Sequence, residues 1–512
     1  MDNEYSGEFT ENGLTMINAA TSLMKSKKIV LAQPSSDQCV KSLFTYHDDH
    51  AIGHKPPLGI MILATYLRAN GFSDVQCLDA QVEELSPQQT VDRLATMEPD
   101  IVGFTAWTDF WYPVWETMRL LRQRLPRCTI ILGGPHCGVY PEESLTYSEA
   151  NFLVAGDGED VILNLVSDLF HNRPVAEQPG LWRKENGRAI APMVPLAVID
   201  DITKVPPPDR TLLPYRRYSS VLTASDYETT MITSRGCPYN CVFCKMDVQK
   251  VYTRSATQVV DEFEEIANLG ITDVQIYDDT FTWGSARAMD ICQGIIDRGI
   301  KINWAIRDRA NRVTPELYRL LKQAGCNRAH FGVETGSPRI LKESGKFLTL
   351  EQVETGIAIA KEAGMTVMTY FMFGFFDETV ADARMTIDFA KKLDTDYPVF
   401  NILIPYPGTA IYDQGLERGI IPHDFWREFT KNPSPEYRIP HLVEEHMDRE
   451  MLVQMRNLGT RQLYFQPRRI IRELRAFTSF SELLKKAKLG LLLAAEVYRP
   501  SSKPQPAHQT LL

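Results

Sequence analysis

The sequence predicts an α/β chain: a doubly wound parallel sheet first, then a partial barrel of six strand–helix repeats, then a helical C-terminal region. Short apolar and β-branched runs alternate with amphipathic stretches of helical length, as expected of parallel strands covered by helices. The alternation breaks once, where Pro195, Pro206, Pro207, Pro208 and Pro214 make a stiff connector. The 512 residues are too many for one ordinary core. The predicted division is a polar tail 1–26, a first domain 27–194, a linker 195–225, a barrel 226–423 and a helical region 424–512.

In the first domain the expected strands are Ile29–Ala32, Val75–Leu78, Ile101–Phe104, Thr129–Leu132 and Phe152–Val154. Helices are expected over Leu58–Asn70, from the third strand's end through Leu120, and over Glu159–Phe170. Beyond the linker, strands are expected up to Ser234 and over Val274–Tyr277, Ile302–Ile306, Arg328–Val333, Val367–Phe373 and Val399–Leu403. The intervening helices are Val259–Leu269, Ala286–Arg298, Pro315–Gln323, Glu351–Ala363 and Val380–Leu393. Six repeats of roughly 30 residues fall short of a full eightfold barrel. Ligands of such sheets bind beyond the carboxyl ends of the strands, so the loops there are the ones to read for chemistry.

A hydrophobic fraction of 44% and a charged fraction of 23% are those of a soluble globular chain. A net charge of −10 argues against a nucleic-acid partner and favours a small-molecule or lipid-like substrate. No charged-then-apolar segment opens the sequence, and three of the nine cysteines crowd together, which suits an intracellular, cytoplasmic protein rather than a disulfide-bonded one. No apolar run reaches the ~18–20 residues that span a bilayer. Leu489 to Ala495, following Lys485, Lys486 and Lys488, reads either as a packed C-terminal helix or as an interfacial one making peripheral membrane contact.

The most informative run is Gly236-Cys237-Pro238-Tyr239-Asn240-Cys241-Val242-Phe243-Cys244, which follows the β-branched stretch ending at Thr233. Its spacing supplies three thiolates to an iron–sulfur cube that needs four, leaving one iron open. Structural zinc wants four Cys or His ligands, and no histidine lies between His171 and His330. A bacterial ferredoxin run would continue to a fourth cysteine before proline, whereas the next here is Cys292, within an expected helix.

Cys237, Cys241 and Cys244, with Phe243 just before the last, resemble the signature of the radical S-adenosylmethionine (SAM) superfamily. The resemblance implies a [4Fe-4S] cluster whose open iron chelates SAM. An external reductant of flavodoxin or ferredoxin type would supply the electron that splits SAM to a 5′-deoxyadenosyl radical, in a dry pocket. It also implies SAM contacts from Phe243, from Asp278 near the amino group, from Glu334 to the ribose hydroxyls, and from Gly374 along the adenine. Asp278 and Asp279 read equally well as caps of the next helix. Arg307 and Arg309 follow the third barrel strand, either to pair a carboxylate or phosphate or to form surface ion pairs.

The loops Lys55 to Gly59, Gly133-Gly134-Pro135-His136 and Gly156-Asp157-Gly158 resemble those of the Rossmann-like cobalamin-binding domain that precedes many radical SAM barrels. That resemblance implies cobalamin contacts at Gly133, Gly134 and Gly156, with glycines admitting a large planar ligand. Asp157 departs from the glutamate frequent in relatives. Trp107, Phe110, Trp111, Tyr112 and Trp115 either floor that ligand or pack a domain junction. Asp48-Asp49-His50-Ala51-Ile52-Gly53 spells a motif by which histidine replaces cobalt's lower ligand, so His50 is a candidate, although it stands far from the first strand. The activity implied is cobalamin-dependent methylation of an unactivated carbon, with ring formation or oxidation by the same cofactors, as in anaerobic tetrapyrrole cyclases, as the alternative. A cobalamin sensor would show no SAM cleavage, and a transfer-RNA methylthiotransferase would want more clustered cysteines near the N-terminus.

Overall fold

A computed structural model describes residues 27–40, 53–220, 227–246, 248–439, 442–467, 469–471 and eight positions between 487 and 498. His50, with Asp48, therefore lies outside the described residues, as do the polar tail and, within the Leu489–Ala495 stretch, Leu489 and Leu492; the five described positions of that stretch are helical. The chain forms two compact units: Met1–Val40 with Pro56–Pro214 and Trp426–Tyr437, and Lys41–Lys55 with Tyr215–Phe425 and Arg438–Leu512. The proline-rich stretch is thus shared out, its residues through Pro214 falling with the first unit and those from Tyr215 with the second.

The first unit is built on β1 (Ile29–Gln33), β2 (Val75–Asp79), β3 (Ile101–Thr105), β4 (Thr129–Gly133), β5 (Phe152–Val154), β6 (Leu181–Glu185) and β7 (Arg188–Ile190), in the order β2-β1-β3-β4-β5-β6-β7. The first five are parallel, as the apolar runs predict, with Ile29, Val30, Val102, Ile130, Leu132 and Leu153 fully buried. The β6–β7 hairpin is an antiparallel addition that the sequence reading did not anticipate. Its strands are charged, but Asn186-Gly187 between them, both at positive φ, is the dipeptide that two-residue hairpin turns demand. The helix Pro87–Met97 was also unforeseen. Ser86 opens it with a reciprocal capping box to Gln89.

The second unit carries β8 (Thr229–Met231), the short pair β9 (Ser234–Arg235) and β10 (Tyr252–Thr253), then β11 (Asp273–Ile276), β12 (Asn303–Asp308), β13 (Cys326–Glu334), β14 (Thr366–Phe373) and β15 (Tyr397–Ile402). Six of these form one parallel sheet in the order β15-β14-β13-β12-β11-β8, each strand beside its neighbour in the sequence, as a progressive winding of strand–helix repeats requires. Helix starts are fixed chemically: Ser255, Thr349 and Thr379 make capping boxes, and Thr314 caps a helix with Pro315 at its first position. The face under the helices is densely packed, with Trp304 edge-on to both Phe263 and Phe281 at 5.5 Å. After the last strand the sequence continues in helices Ala410–Glu417, Phe425–Lys431, which from Trp426 falls with the first unit, and Arg449–Tyr464, which bears out a helical C-terminal region.

Candidate iron–sulfur and cobalamin centres

The chain leaves β8 through the corner Thr233-Ser234, and this corner is held by one buried carboxylate. Asp278, 1% exposed, accepts from the Thr233 amide (2.6 Å), the Ser234 amide (3.0 Å) and hydroxyl (2.6 Å), and the Thr233 hydroxyl. Behind it Arg287 donates to the carbonyls of Arg254 and Thr233, and Arg254 pairs with the buried Glu262. The chain then turns at Gly236, whose φ of +93° and approach to the Lys250 carbonyl leave no room for a Cβ. The cysteine loop is pinned along its length: Cys237 N to the Val248 carbonyl (3.2 Å), Cys244 N to that of Cys241 (3.0 Å) and Val242 N to that of Ser344 (3.0 Å).

All three cysteines are free thiols; Cys237 and Cys241 are half-buried and Cys244 is exposed. Burial, the other two sulfurs and Asp279 push the Cys244 thiol up to about 12. Burial also raises Cys241, while Lys346 and Arg309 pull it down. The trio forms one soft-donor set on a single loop, of the kind that can meet three irons of a cube.

Around this loop the strand ends assemble a charged rim. Arg309 stacks over Tyr239 with its guanidinium carbon 3.5 Å from the ring centre and donates to the Lys346 carbonyl. Its backbone is fixed by Asp308, a fully buried carboxyl pushed up to about 6 by desolvation that also takes hydrogen bonds from Thr282 (2.7 Å) and Tyr318 (2.8 Å). Glu334 is 6% exposed, pairs with Lys346, and sits at φ +70° where β13 shifts register against β14. A buried non-glycine residue in left-handed backbone at a strand end marks a functional position. Gly374, at φ +100°, donates to Glu378 (2.6 Å), as does the Phe375 amide (3.1 Å), and Phe375 meets Phe243 edge-on at 5.8 Å.

The structure therefore brings Cys237, Cys241, Cys244, Phe243, Glu334 and Gly374 to the carboxyl ends of the barrel strands. Asp278 is turned away, with both oxygens engaged at the β8 corner; its neighbour Asp279 is the carboxylate that faces the thiols, raising Cys237 and Cys244. Lys346 is the residue the sequence reading missed. Its position just after Gly345, whose left-handed turn sits against the Asn240 carbonyl, is a signal that only the fold makes readable.

In the first unit Gly134 (φ +99°) lies against the backbone of Ala106 and Gly156 (φ +95°) against that of Ala197. Both glycines are demanded by the chain's own crossings, whereas a Cβ at Gly133 would meet only ordinary contact. The aromatic group divides. Trp111 is fully buried and donates to the Thr430 carbonyl (3.1 Å), and Trp115 donates to that of Tyr147 (2.8 Å). Trp107, 53% exposed just after β3, keeps a free ring face, and the Gln81 amide nitrogen after β2 is buried without a protein partner among the described residues. An open indole and an unpaired donor at the carboxyl edge fit a large planar ligand with amide arms.

His136 is fully buried and tilted against Trp111 at 4.7 Å, with Nδ1 3.2 Å from the Thr108 hydroxyl and Nε2 3.3 Å from that of Thr430. Desolvation depresses it to about 3 from an ordinary 6.5. The unfolded chain thus takes up a proton below pH 6.5 that the fold refuses, so stability falls as pH drops toward 3. At pH 5 the loss relative to pH 7 should be about 2 kcal/mol. Urea denaturation at the two pH values, with His136→Asn reducing the difference, checks this.

Comparison with known proteins identifies both halves of the chain. Residues 231–390 match the model of the radical SAM superfamily and residues 51–166 that of the B12 binding domain. The chain is 31% identical over 477 residues to an uncharacterized methyltransferase of Pyrococcus horikoshii, covering 92% of this chain and 99% of that one. It is 27% identical to the anaerobic magnesium-protoporphyrin IX monomethyl ester cyclase of Rubrivivax gelatinosus, over 72% and 68% of the two chains. Among solved structures, the radical SAM methyltransferase TsrM of Kitasatospora setae, with cobalamin and a [4Fe-4S] cluster bound, aligns with a TM-score of 0.65 at 22% identity over 77% of this chain and 78% of that one. The cobalamin-dependent radical enzyme OxsB aligns at 0.69 and 17% identity over 93% and 72%.

Proposed function

Because this chain belongs to the cobalamin-binding branch of the radical SAM superfamily, with a cluster-bearing barrel behind a B12 domain, we propose that it methylates an unactivated carbon of a small or lipid-like molecule. It is an enzyme that uses a [4Fe-4S] cluster, SAM and cobalamin. The observation that supports the methyl-transfer reading is similarity along nearly the whole chain, 92% of it, to a protein named as an uncharacterized methyltransferase. When bound, these cofactors supply one-electron cleavage of SAM and a methyl group on cobalt.

The chain's own residues do the positioning. Cys237, Cys241 and Cys244 would hold the cluster. Glu334 would accept from the ribose hydroxyls of SAM, its pair with Lys346 holding the carboxylate in place. Asp279, rather than Asp278, would meet the amino group. Gly374, fixed by Glu378, would lie along the adenine, while Phe243 and Phe375 exclude water beside the loop. Gly134, Gly156 and Trp107 would border cobalamin, with Gly133 beside them. A flavodoxin- or ferredoxin-type donor would deliver the electron.

Anaerobically reconstituted enzyme, supplied with reductant, cobalamin, trideuteromethyl-SAM and small-molecule and lipid extracts, should yield a product carrying the labelled methyl. Products that lose hydrogen without gaining the label would favour ring formation or oxidation instead, and absence of cobalt binding would remove the cobalamin half of the reading.

A further inference from the structure

The two faces of the barrel sheet are finished in opposite ways. On the face under the helices Ile276, Trp304, Ile306, Phe331, Val333 and Phe371 are each at most 1% exposed. On the inner face, at the alternate positions, Tyr277 and Tyr370 are only half-buried and Arg307 is exposed. A barrel with a filled interior would place branched apolar side chains there. This one places cations, hydroxyls and an imidazole.

Arg307 is at the centre. Its guanidinium carbon lies 4.1 Å from the centre of the Tyr277 ring, and in the sheet register it stands opposite His330. His330 has both nitrogens engaged, Nδ1 with the Tyr370 hydroxyl at 2.9 Å and Nε2 accepting from Arg328 at 3.0 Å. Burial, then Arg328, Arg307 and Lys55, hold that imidazole neutral. Lys55 is matched by Glu228, and Arg328 is near Asp273. Arg307 has no hydrogen-bonded or ion-paired partner among the described residues, and neither has the Tyr277 hydroxyl. A guanidinium remains charged at any ordinary pH and presents a planar fork of donors. Exposed on the inner face of the sheet, with Asp279 as its electrostatic neighbour but with no contact ion pair among the described residues, it can offer that fork to an anion.

We propose that Arg307, with Tyr277 and Tyr370 beside it, is a subsite for the carboxylate of the substrate. The inference rests on the barrel being the reaction site and adds the substrate class, a carboxylic acid. One cation without an ion pair among the described residues, beside the Tyr277 hydroxyl and a Tyr370 hydroxyl that would turn from Met368 Sδ, suits a single negative charge; a phosphate dianion would want a second, and Lys55 is already taken by Glu228.

The test is calorimetric titration of the anaerobic, reconstituted, SAM-loaded enzyme with benzoate, indole-3-acetate and decanoate, each against its primary amide. At least one acid should bind about tenfold or more tighter than its amide, Arg307→Gln should erase that preference, and Arg307→Lys should keep part of it. Unfolding temperature and iron content verify that the variants are intact. Acids that bind no better than amides, or no binding by any probe, overturn the proposal, as does an unchanged preference in Arg307→Gln. A tenfold loss of SAM affinity in that variant would overturn it too, by giving the guanidinium to SAM. The titration needs no turnover, so a failed methylation assay leaves its outcome standing.

Discussion

Replacing Cys241 by alanine should give a folded protein without a complete cluster and with reductive SAM cleavage reduced by at least about three orders of magnitude, because a ligand to the redox centre is removed rather than retuned. Cys241 is the ligand most enclosed by the protein's own frame. Gly345 turns against it, Val242 next to it is tied to the Ser344 carbonyl, and Lys346 and Arg309 surround its sulfur with positive charge. The fold around it does not depend on the thiol, so the loss should be chemical. Iron quantification, the cluster's electron paramagnetic resonance signal and release of 5′-deoxyadenosine are the measurements. Cys292→Ala is the contrast: that thiol is fully buried in the helix Ser285–Asp297, and its truncation should cost about 1 kcal/mol of stability while leaving iron content intact. Iron content and turnover both unchanged in Cys241→Ala would dispose of the assignment.

Asp278→Ala should be the most damaging substitution outside the ligands. It strips a buried carboxylate of four accepted hydrogen bonds and leaves the donors of Thr233 and Ser234, themselves 0% and 5% exposed, without partners. Each such orphan costs about 1–3 kcal/mol, incompletely additive, so a loss of about 3–5 kcal/mol is expected against a typical total of 5–15. Asp278→Asn, with one acceptor oxygen and two hydroxyls free to rotate, should lose about half as much. Urea midpoints give the stabilities. Iron uptake should fall with stability, because the corner that Asp278 secures is where the cysteine loop begins. Full iron content at wild-type stability in Asp278→Ala would show that the corner holds itself.

Asp278 also shows where sequence reading reaches its limit. The barrel strands were legible because parallel strands buried under helices are apolar runs, and helices such as Pro315–Gln323 and Val380–Leu393 were legible to the residue because Thr314 and Thr379 announce them. The cysteines were legible because three soft ligands within eight positions have few other uses. Choosing between Asp278 and Asp279 needed the pleat: Asp278 shares the parity of the buried Val274 and Ile276, so Asp279, with Tyr277, takes the other side. That information was present in the alternation. The pair of Glu334 with Lys346 was not, since twelve positions separate them and only the turn at Gly345 brings them together. The β6–β7 hairpin was hidden by its charged residues, which an edge ribbon tolerates and a central strand does not.

The first unit is completed by Trp426–Tyr437, whose Thr430 meets both Trp111 and His136 and whose Arg427 pairs with Glu143. During synthesis, then, the N-terminal sheet must wait with an uncovered indole until the ribosome has passed the entire barrel, roughly 10–45 s after Pro214 emerges at ordinary elongation rates. A nascent chain of this design is exposed to chaperones and proteases for that interval. Severing the gene between the two halves would make the exposure permanent.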